Sequence, residues 1–235
     1  MTIHILATGT SRGIGAAIAA AFASDDVRLV GHSTAGGKDA IAADLSDPEA
    51  TRALWWEAMG RLDGRIDVLI NNAGIFDAAP IDQSDDAWLK DWERTMRINL
   101  TASAERCRLA VLHFRQSKSG RIVNVASRAA YRGDSPDHWH YAASKAGMVA
   151  MSKSIARGYA RDNILAFAVC PGFTMTGMAE DYLASRGGDK LLADIPLGRV
   201  AEPAEVAATV RFLALEAPAS MTGAVIDING ASYVR

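Results

Sequence analysis

The stretch Ile3-His4-Ile5-Leu6-Ala7-Thr8-Gly9-Thr10-Ser11-Arg12-Gly13-Ile14-Gly15 decides how this chain folds. Its first part, Ile3–Ala7, is apolar and predicts a buried strand, and the alanine-rich run at 13–24 predicts the helix that follows. The glycines between them let the backbone turn sharply and let the helix pack against the strand. A helix that begins at such a turn presents free N–H groups and a partial positive charge, an arrangement suited to phosphate.

The same strand-then-helix order continues along the chain. Further apolar runs predict strands at 27–31, 40–43, 66–71, 121–126, 164–170 and 224–228, and helices are predicted at 48–61, 85–116, 139–160 and 203–216. Strands that are almost continuously apolar are buried on both faces, and their alternation with helices indicates parallel crossovers. We therefore predict one α/β domain over 1–235, a doubly wound (Rossmann-type) parallel sheet of seven strands with helices on both faces.

Composition excludes several classes of protein. The 25 Lys and Arg nearly balance the 27 Asp and Glu, so no basic field is available for nucleic acid. The cysteines, Cys107 and Cys170, are far apart in sequence, which suits reduced thiols and a cytoplasmic location. The longest run of glycine and apolar residues, 13–23, is shorter than the ~20 residues that span a bilayer, and no export signal is visible, so we expect a soluble protein with no membrane partner.

The glycine turn predicts a site for the pyrophosphate of a dinucleotide, bound through Gly9, Ser11, Arg12, Gly13, Ile14 and Gly15. At the end of the second strand, where a carboxylate would bind the ribose of NAD, the chain has Ser33 and Thr34 instead. With Arg12, these hydroxyls favour the 2′-phosphate of NADP(H), while NAD(H) stays possible and a plain polar turn is the alternative. Asp44 could accept from an adenine amino group or be an ordinary turn residue.

Tyr141 and Lys145 are four residues apart in a predicted helix and so project from the same face. An ammonium beside a phenol stabilises the phenolate. To lower the pKa of Tyr141 from about 10 to about 7 needs roughly 4 kcal/mol, which Lys145 and an oxidised nicotinamide could supply together in a desolvated cleft. Tyr141 would then act as a general acid and base, although this spacing also occurs on solvated helix faces.

Other polar residues follow predicted strands and converge on the same sheet edge. Ser127 follows the strand at 121–126, and Asn71-Asn72-Ala73-Gly74 ends or follows the strand at 66–71. Asn99 lies within the predicted helix at 85–116, where asparagine is a poor helix former, so a polar role is predicted for it. Convergent polar groups of this kind are typical of a binding cleft.

Taken together, these motifs resemble those of the standard-length short-chain dehydrogenase/reductase family. The resemblance covers essentially the whole chain and rests on Thr8-Gly9-x-x-x-Gly13-x-Gly15, Asn71-Asn72-Ala73-Gly74, Asn99, Ser127, Tyr141-x-x-x-Lys145 and Pro171-Gly172, in the family's order and spacing. The chain departs from the family's pattern in a short segment between the second and third strands and in Ala231 where many relatives have glycine. Neither departure touches the predicted chemistry.

The resemblance implies a role for each matching residue. Tyr141 would exchange a proton with the substrate oxygen, Ser127 would hydrogen-bond that oxygen, and Lys145 would bind the nicotinamide ribose and depress the tyrosine pKa. Asn99 would hold a water that links Lys145 to solvent. The cofactor cleft would be lined, besides Tyr141 and Lys145, by Asn72, Gly74, Pro171, Gly172 and Thr174.

The resemblance also implies an activity, a transfer of hydride between NADP(H) and a carbonyl or secondary alcohol. The nearest-looking relatives are 3-oxoacyl-carrier-protein reductases, so we expect a ketone or acyl-thioester substrate, with Arg128, Arg132 and Arg161 as candidates for carrier docking. Relatives form tetramers through helices corresponding to 85–116 and 139–160. Alternatives are a catalytically silent nucleotide sensor and an NAD-dependent secondary alcohol dehydrogenase.

The surroundings of the cleft are mostly apolar. A loop at 174–199 follows a predicted strand end and is predicted to be a substrate lid. The pair His138 and His140 lacks the acidic or cysteine neighbours that a metal site needs, so no metal is expected. The predicted flanking residues of the substrate cleft are Ile75, Phe76, Tyr131, His138, Trp139, Phe173, Met175, Met178 and Tyr182.

Overall fold

The computed structural model describes residues 2–23, 26–176 and 188–235. Its centre is a parallel sheet of seven strands in the order β3-β2-β1-β4-β5-β6-β7. The strands are β1 (Ile3–Ala7), β2 (Val27–Ser33), β3 (Ala40–Ala42), β4 (Val68–Asn71), β5 (Gly120–Val125), β6 (Ile164–Pro171) and β7 (Val225–Ile228). This confirms the predicted fold class. The strand order reverses between β1 and β4, where such folds form a ligand cleft.

Helices cover both faces of the sheet. They are α1 (Gly13–Ala21), α2 (Pro48–Arg61), α3 (Asp85–Met96), α4 (Ala102–Ser117), α5 (Ala129–Arg132), α6 (Trp139–Tyr159), α7 (Gly188–Ala193) and α8 (Pro203–Leu215). Several begin at good helix starts: the side chains of Asp47 and Ser84 accept backbone N–H groups at the starts of α2 and α3, and Pro203 is the first residue of α8.

Alternate strand residues point into different layers of the core. Leu6 and Leu69 pack with Trp55 of α2 and Phe114 of α4 on one face. On the other face, Ile5, Val68 and Phe167 pack with α1 and α8 through residues that include Ile18, Val206 and Val210. Burial of the sheet on both faces explains why its strands are apolar throughout rather than alternating.

Several predicted element bounds differ from those of the structure, most by one or two residues. The helix predicted at 85–116 is interrupted by a π-helical segment, Arg97–Thr101, in which Asn99 lies. The first helix ends at Ala21, and β2 continues two residues past its predicted end, to Ser33. Within the predicted loop 174–199, residues 177–187 lie outside the described residues, and the described part contains α7 and a bridge between Thr174 and Ala201. No described helix is long and apolar enough to cross a membrane.

Candidate active site

The carboxyl ends of β1 and β4 are joined by side-chain hydrogen bonds. Thr8, which is buried, accepts at its Oγ1 from the backbone N–H groups of Asn72 and Ala73, each at 3.1 Å. The side chain of Asn72 also bonds to β1 and the turn, because its Nδ2 donates to the carbonyl oxygens of Thr8 and Gly9, each at 3.1 Å. The predicted cofactor residues Gly9 and Asn72 therefore lie together at one sheet edge.

The glycine turn requires the residues that it has. Gly9 and Gly13 have φ of 71° and 53°, in the left-handed region. A Cβ on Gly15 would lie 1.8 Å from the carbonyl oxygen of Gly9, so only glycine lets α1 approach this closely. Arg12 stands at the N-cap of α1 without a side-chain cap, and Ser11 and Arg12 are exposed. Uncapped N–H groups at a helix start fit the phosphates of a dinucleotide.

His32 was not predicted as a functional residue, yet it contacts this turn directly. Its ring is 2% exposed, and its Nδ1 accepts from the N–H of Gly9 at 3.2 Å while its Nε2 lies 3.0 Å from the carbonyl oxygen of Ala43. Burial, the strongest influence, lowers its pKa below 6.5. A histidine at the end of an apolar strand, next to the glycine turn, is the sequence signal that could have identified it.

The predicted ribose end is only partly available to a ligand. Thr34 is exposed, but Ser33 is buried and its hydroxyl donates to the carbonyl oxygen of Gly36 at 3.1 Å. Asp44 is exposed and accepts from the backbone N–H of Ser46 at 2.9 Å, a hydrogen bond that lowers the pKa of this carboxyl group. Of the residues predicted for this end, Arg12, Thr34 and Asp44 are exposed, while Ser33 hydrogen-bonds within its own turn.

Ser127 and Tyr141 meet beyond the carboxyl end of β5. Ser127 is 8% exposed and hydrogen-bonds the Tyr141 side chain, and its Oγ also accepts from the N–H of Ala129 at 3.1 Å. Tyr141 lies in the first turn of α6, which brings its phenol to the strand end. A hydroxyl pair in this arrangement can bind one carbonyl oxygen from two directions.

Lys145 lies one helical turn further along α6 and is 4% exposed. Its Nζ donates to the carbonyl oxygen of Val125 at 3.0 Å and lies 5.7 Å from the centre of the Tyr141 ring. Burial lowers its pKa to about 8. Its Nζ also donates to Met148 Sδ at 3.8 Å, so one of the three N–H groups of the ammonium remains for another partner.

The joint lowering of the Tyr141 pKa by Lys145 and an oxidised nicotinamide stays a prediction, and in the protein without a cofactor the pKa of Tyr141 is raised. Burial raises the pKa of Tyr141 to about 12, against the smaller opposite effect of the Ser127 hydrogen bond. The cause is desolvation of the phenol, which disfavours its charged form. Tyr141 therefore keeps its proton at neutral pH.

Asn99 is fully buried and ties the π-helical segment to the loop after β4. Its Oδ1 accepts from the N–H of Ile75 at 2.8 Å, and its Nδ2 donates to the carbonyl oxygen of Ile75 at 3.0 Å and to Ser144 Oγ at 3.3 Å. A Cβ on Gly74 would lie 3.2 Å from Asn99 Oδ1 and 3.5 Å from Lys145 Nζ. Gly74, Asn99 and Lys145 therefore converge.

The end of β6 completes the cleft opposite α6. Pro171 is the last residue of β6, and a Cβ on Gly172 would come 2.8 Å from the Cβ of Asn229. Thr174 is buried and its hydroxyl donates to the carbonyl oxygen of Gly172 at 3.2 Å. The backbone here is held in place, because the Pro171 carbonyl accepts from the N–H of Arg128 and the Gly172 N–H donates to the carbonyl of Ile228, each at 2.9 Å.

Aromatic residues line the outer side of Tyr141. The ring of Phe76 stacks on His138 at 3.9 Å and meets the Tyr141 ring edge-on at 4.7 Å. On the β6 side, the Arg128 guanidinium lies 4.9 Å from the Phe173 ring centre. Met178 and Tyr182 lie outside the described residues. The described residues hold no group of three or more His, Cys, Asp or Glu placed to bind a metal ion.

A row of buried, hydrogen-bonded polar side chains, which the sequence did not predict, connects the strands and helices around the site. Arg106 Nε donates to Asn71 Oδ1 at 2.9 Å, Asn71 Nδ2 donates to Asn124 Oδ1 at 2.9 Å, and Asn124 Nδ2 donates to Ser152 Oγ at 2.8 Å. All four side chains are at most 1% exposed. The row links β4 and β5 to α4 and α6, the elements that carry the catalytic candidates. Polar residues within apolar strands were its only sequence signal.

The fold and this cluster of serine, tyrosine and lysine define an oxidoreductase of the doubly wound class. A family model described as enoyl-(acyl carrier protein) reductase matches residues 9–231. D-threitol dehydrogenase of Mycolicibacterium smegmatis is 33% identical over 98% of this chain and 92% of its own. The 3-oxoacyl-[acyl-carrier-protein] reductase of Aquifex aeolicus is 34% identical over 97% and 96%, and nodulation protein G of Rhizobium meliloti is 34% identical over 96% and 94%. The chain belongs to the short-chain dehydrogenase/reductase family.

Proposed function

We propose that the protein is an NADP(H)-dependent reductase of a ketone or 3-oxoacyl thioester, with Tyr141 as its general acid. The observation that carries this proposal is the hydrogen-bonded pair Ser127 and Tyr141, held beside Lys145 at the sheet edge that also bears the glycine turn. A nicotinamide cofactor, when bound, supplies the hydride. Every other step belongs to side chains of this chain.

Reduction of a carbonyl needs a proton donor beside the carbonyl oxygen, and Tyr141 is placed to be that donor. Ser127 and Tyr141 orient the carbonyl oxygen by donating to it. As the carbonyl carbon accepts hydride, the oxygen takes the proton of Tyr141, and the phenolate that remains is stabilised by the nearby Lys145, whose pKa of about 8 lets it return a proton. A phenol with a pKa of about 12 is fully protonated at neutral pH, the form needed for this step.

The cofactor residues of the proposal are those of the glycine turn and the cleft. Backbone N–H groups at the start of α1 would bind the pyrophosphate, and Lys145 and Tyr141 the nicotinamide ribose. Asn72, Gly74, Pro171, Gly172 and Thr174 would line the nicotinamide end. Arg12 and Thr34 are exposed where a 2′-phosphate would lie, with no carboxylate beside them at the end of β2.

A second candidate is a secondary alcohol dehydrogenase, favoured by the similarity to a D-threitol dehydrogenase.

We also propose that the chain is a single domain, that it forms a tetramer and that 174–199 is a substrate lid. One contact supports the lid. Asp194, in the described part of that segment, has its Oδ2 2.7 Å from Arg132 and 3.5 Å from Arg128, and Arg128 directly follows the proposed catalytic residue Ser127.

The test is a panel of 3-oxoacyl thioesters, ketones and polyols, assayed with both NADPH and NADH. We expect reduction of a carbonyl substrate with NADPH preferred, and Arg12→Ala should weaken NADPH binding about tenfold more than NADH binding, since a charged hydrogen bond contributes ~1.5 kcal/mol or more. Oxidation of polyols alone would favour the second candidate. Dinucleotide binding without any turnover would identify a silent sensor and overturn the proposal.

A further inference from the structure

His32 joins three parts of the predicted dinucleotide site. Its Nδ1 accepts from the N–H of Gly9 in the glycine turn, and its Nε2 meets the carbonyl oxygen of Ala43, directly after β3. Its own backbone carbonyl accepts from both the N–H and the hydroxyl of Thr10, at 2.9 and 3.3 Å. One buried residue near the end of β2 therefore connects the glycine turn after β1 with the segment that follows β3.

These contacts allow a single protonation state. The N–H of Gly9 donates to Nδ1, so Nδ1 carries no proton. The Ala43 carbonyl oxygen can only accept, so Nε2 must carry the proton and donate. A second proton on Nδ1 would place two N–H donors against each other, and the Gly9 N–H would lose its acceptor in a buried site.

We propose that His32 is a positioning residue that holds the glycine turn in its binding conformation as the neutral Nε2–H tautomer, so that its protonation weakens dinucleotide binding. The inference rests on the proposed function, because it takes the glycine turn to be a dinucleotide site. His32 acts through the backbone of Gly9 and Ala43. No contact between His32 and the cofactor is required.

The charged surroundings support the neutral ring. Among the residues that the structure describes, the charged group that acts on His32 is the buried guanidinium of Arg106 in α4. Its positive charge disfavours a second proton on the His32 ring. Asp44 follows Ala43 but is exposed and accepts from Ser46. In the glycine turn, Thr10 contacts His32 with groups that do not titrate, and Arg12 is exposed.

The tautomer is tested first, in the protein without cofactor. Nitrogen-15 NMR of the histidine side chains distinguishes a protonated from a bare ring nitrogen. We expect His32 to show bare Nδ1 and protonated Nε2 at pH 7.5, and to titrate below pH 6.5. A protonated Nδ1, or a ring that is doubly protonated at neutral pH, would overturn the inference whatever the protein binds.

The second test is the dissociation constant of NADPH between pH 7.5 and 5.5, from its fluorescence on binding. In the wild type we expect constant affinity above pH 6.5 and up to about a tenfold loss per pH unit below it, since one proton must leave for the turn to form. His32→Asn keeps an acceptor near the Nδ1 position and cannot titrate. It should bind NADPH within a few-fold of wild type at pH 7.5 and show a smaller decrease in acid than wild type, whereas His32→Ala should bind about tenfold more weakly than wild type at pH 7.5.

The matched control is His113, another histidine whose ring accepts a backbone N–H, from Ile66 at 3.2 Å, in a contact made at the opposite, amino-terminal end of β4. His113→Gln should leave the pH profile of NADPH binding as in wild type. Because all variants share the titrating 2′-phosphate of NADPH, only their difference measures His32. Absence of binding at any pH would overturn the proposed function. Binding that strengthens in acid, or that changes with pH equally in wild type and His32→Asn, would overturn the inference alone.

Discussion

The glycine turn after β1 is built almost entirely from backbone, whereas the catalytic cluster at the end of β5 is built from buried side chains. In the turn, Gly9, Gly13 and Gly15 have no side chain, and a Cβ on Gly9 or Gly15 would lie within 3 Å of neighbouring backbone atoms. In the cluster, burial moves the pKa of Tyr141 up and that of Lys145 down.

The difference follows from what each region has to do. Phosphate is bound by backbone N–H groups that do not titrate themselves, and their positions depend on the shape of the turn. Proton transfer needs groups whose pKa values depend on their surroundings, and burial is the strongest influence available. We therefore expect substitutions in the turn to act on binding and folding, and those in the cluster to act on turnover and its pH dependence.

The largest expected effect is on turnover in Tyr141→Phe. Loss of the proton donor should lower kcat by about a thousandfold, within the range for general acids, while the dissociation constant for NADPH changes little. Steady-state kinetics and fluorescence titration measure the two quantities separately. Tyr159→Phe, at the other end of the same helix, is the control and should keep wild-type turnover. If Tyr141→Phe retained more than a tenth of the wild-type kcat, Tyr141 would not be the acid.

A smaller effect, on stability and binding together, is expected for Gly15→Ala. The new Cβ would lie 1.8 Å from the Gly9 carbonyl oxygen, so α1 must move, at a cost of about 3 kcal/mol in the free energy of unfolding. NADPH binding should be lost in protein that still folds. Gly60→Ala is the matched control: Gly60 is also helical, has no atom within 4 Å of its Cβ position, and should gain about 0.5–1 kcal/mol. Equal urea midpoints for the two variants would contradict this account of the turn.

The smallest effect is on the pH dependence of stability. Burial lowers the pKa of Lys145 from 10.5 to about 8, so between these values the unfolded state binds more protons than the folded state. The contribution of Lys145 to the free energy of unfolding should then rise with pH from about 8 to 10, by at most ~1.4 kcal/mol per unit. The raised pKa values of Cys107 and Cys170 oppose this rise above about pH 9, and that of Tyr141 opposes it above pH 10.

Urea unfolding of Lys145→Met over pH 7–10 measures that contribution. We expect the rise with pH to be reduced in this variant, because the group that titrates differently in the two states is gone. Lys153→Met changes an exposed lysine of the same helix and should follow the wild-type curve. A Lys145→Met profile parallel to that of wild type would show that burial does not shift this amine.

Much of the architecture could be predicted because it depends on local patterns. Continuous apolar runs located the strands, and the glycines after Ala7 identified the turn, since both follow from backbone geometry and burial on two faces. The π-helical interruption at Asn99 could not be predicted as such. It depends on hydrogen bonds to Ile75 and Ser144, which are distant in sequence.

In the candidate site, too, the residue types could be predicted from the sequence, but their hydrogen bonds and pKa values could not. Residue types and spacing identified Ser127, Tyr141 and Lys145 as candidates. They did not predict that the pKa of Tyr141 is raised in the protein without a cofactor, because desolvation depends on everything packed around the phenol. Ser33 was expected to face a ligand and instead donates to Gly36.

The amino-acid sequence by itself determined the doubly wound sheet, the glycine turn and the set of polar residues at its edge, because periodicity and glycine placement are properties of short segments. Only the tertiary structure decided which of those groups are charged, which hydrogen bonds occupy them, and that His32 holds the turn. Ionisation and hydrogen bonding depend on the distance to neighbours and the exclusion of water, and both are set by segments far apart along the chain.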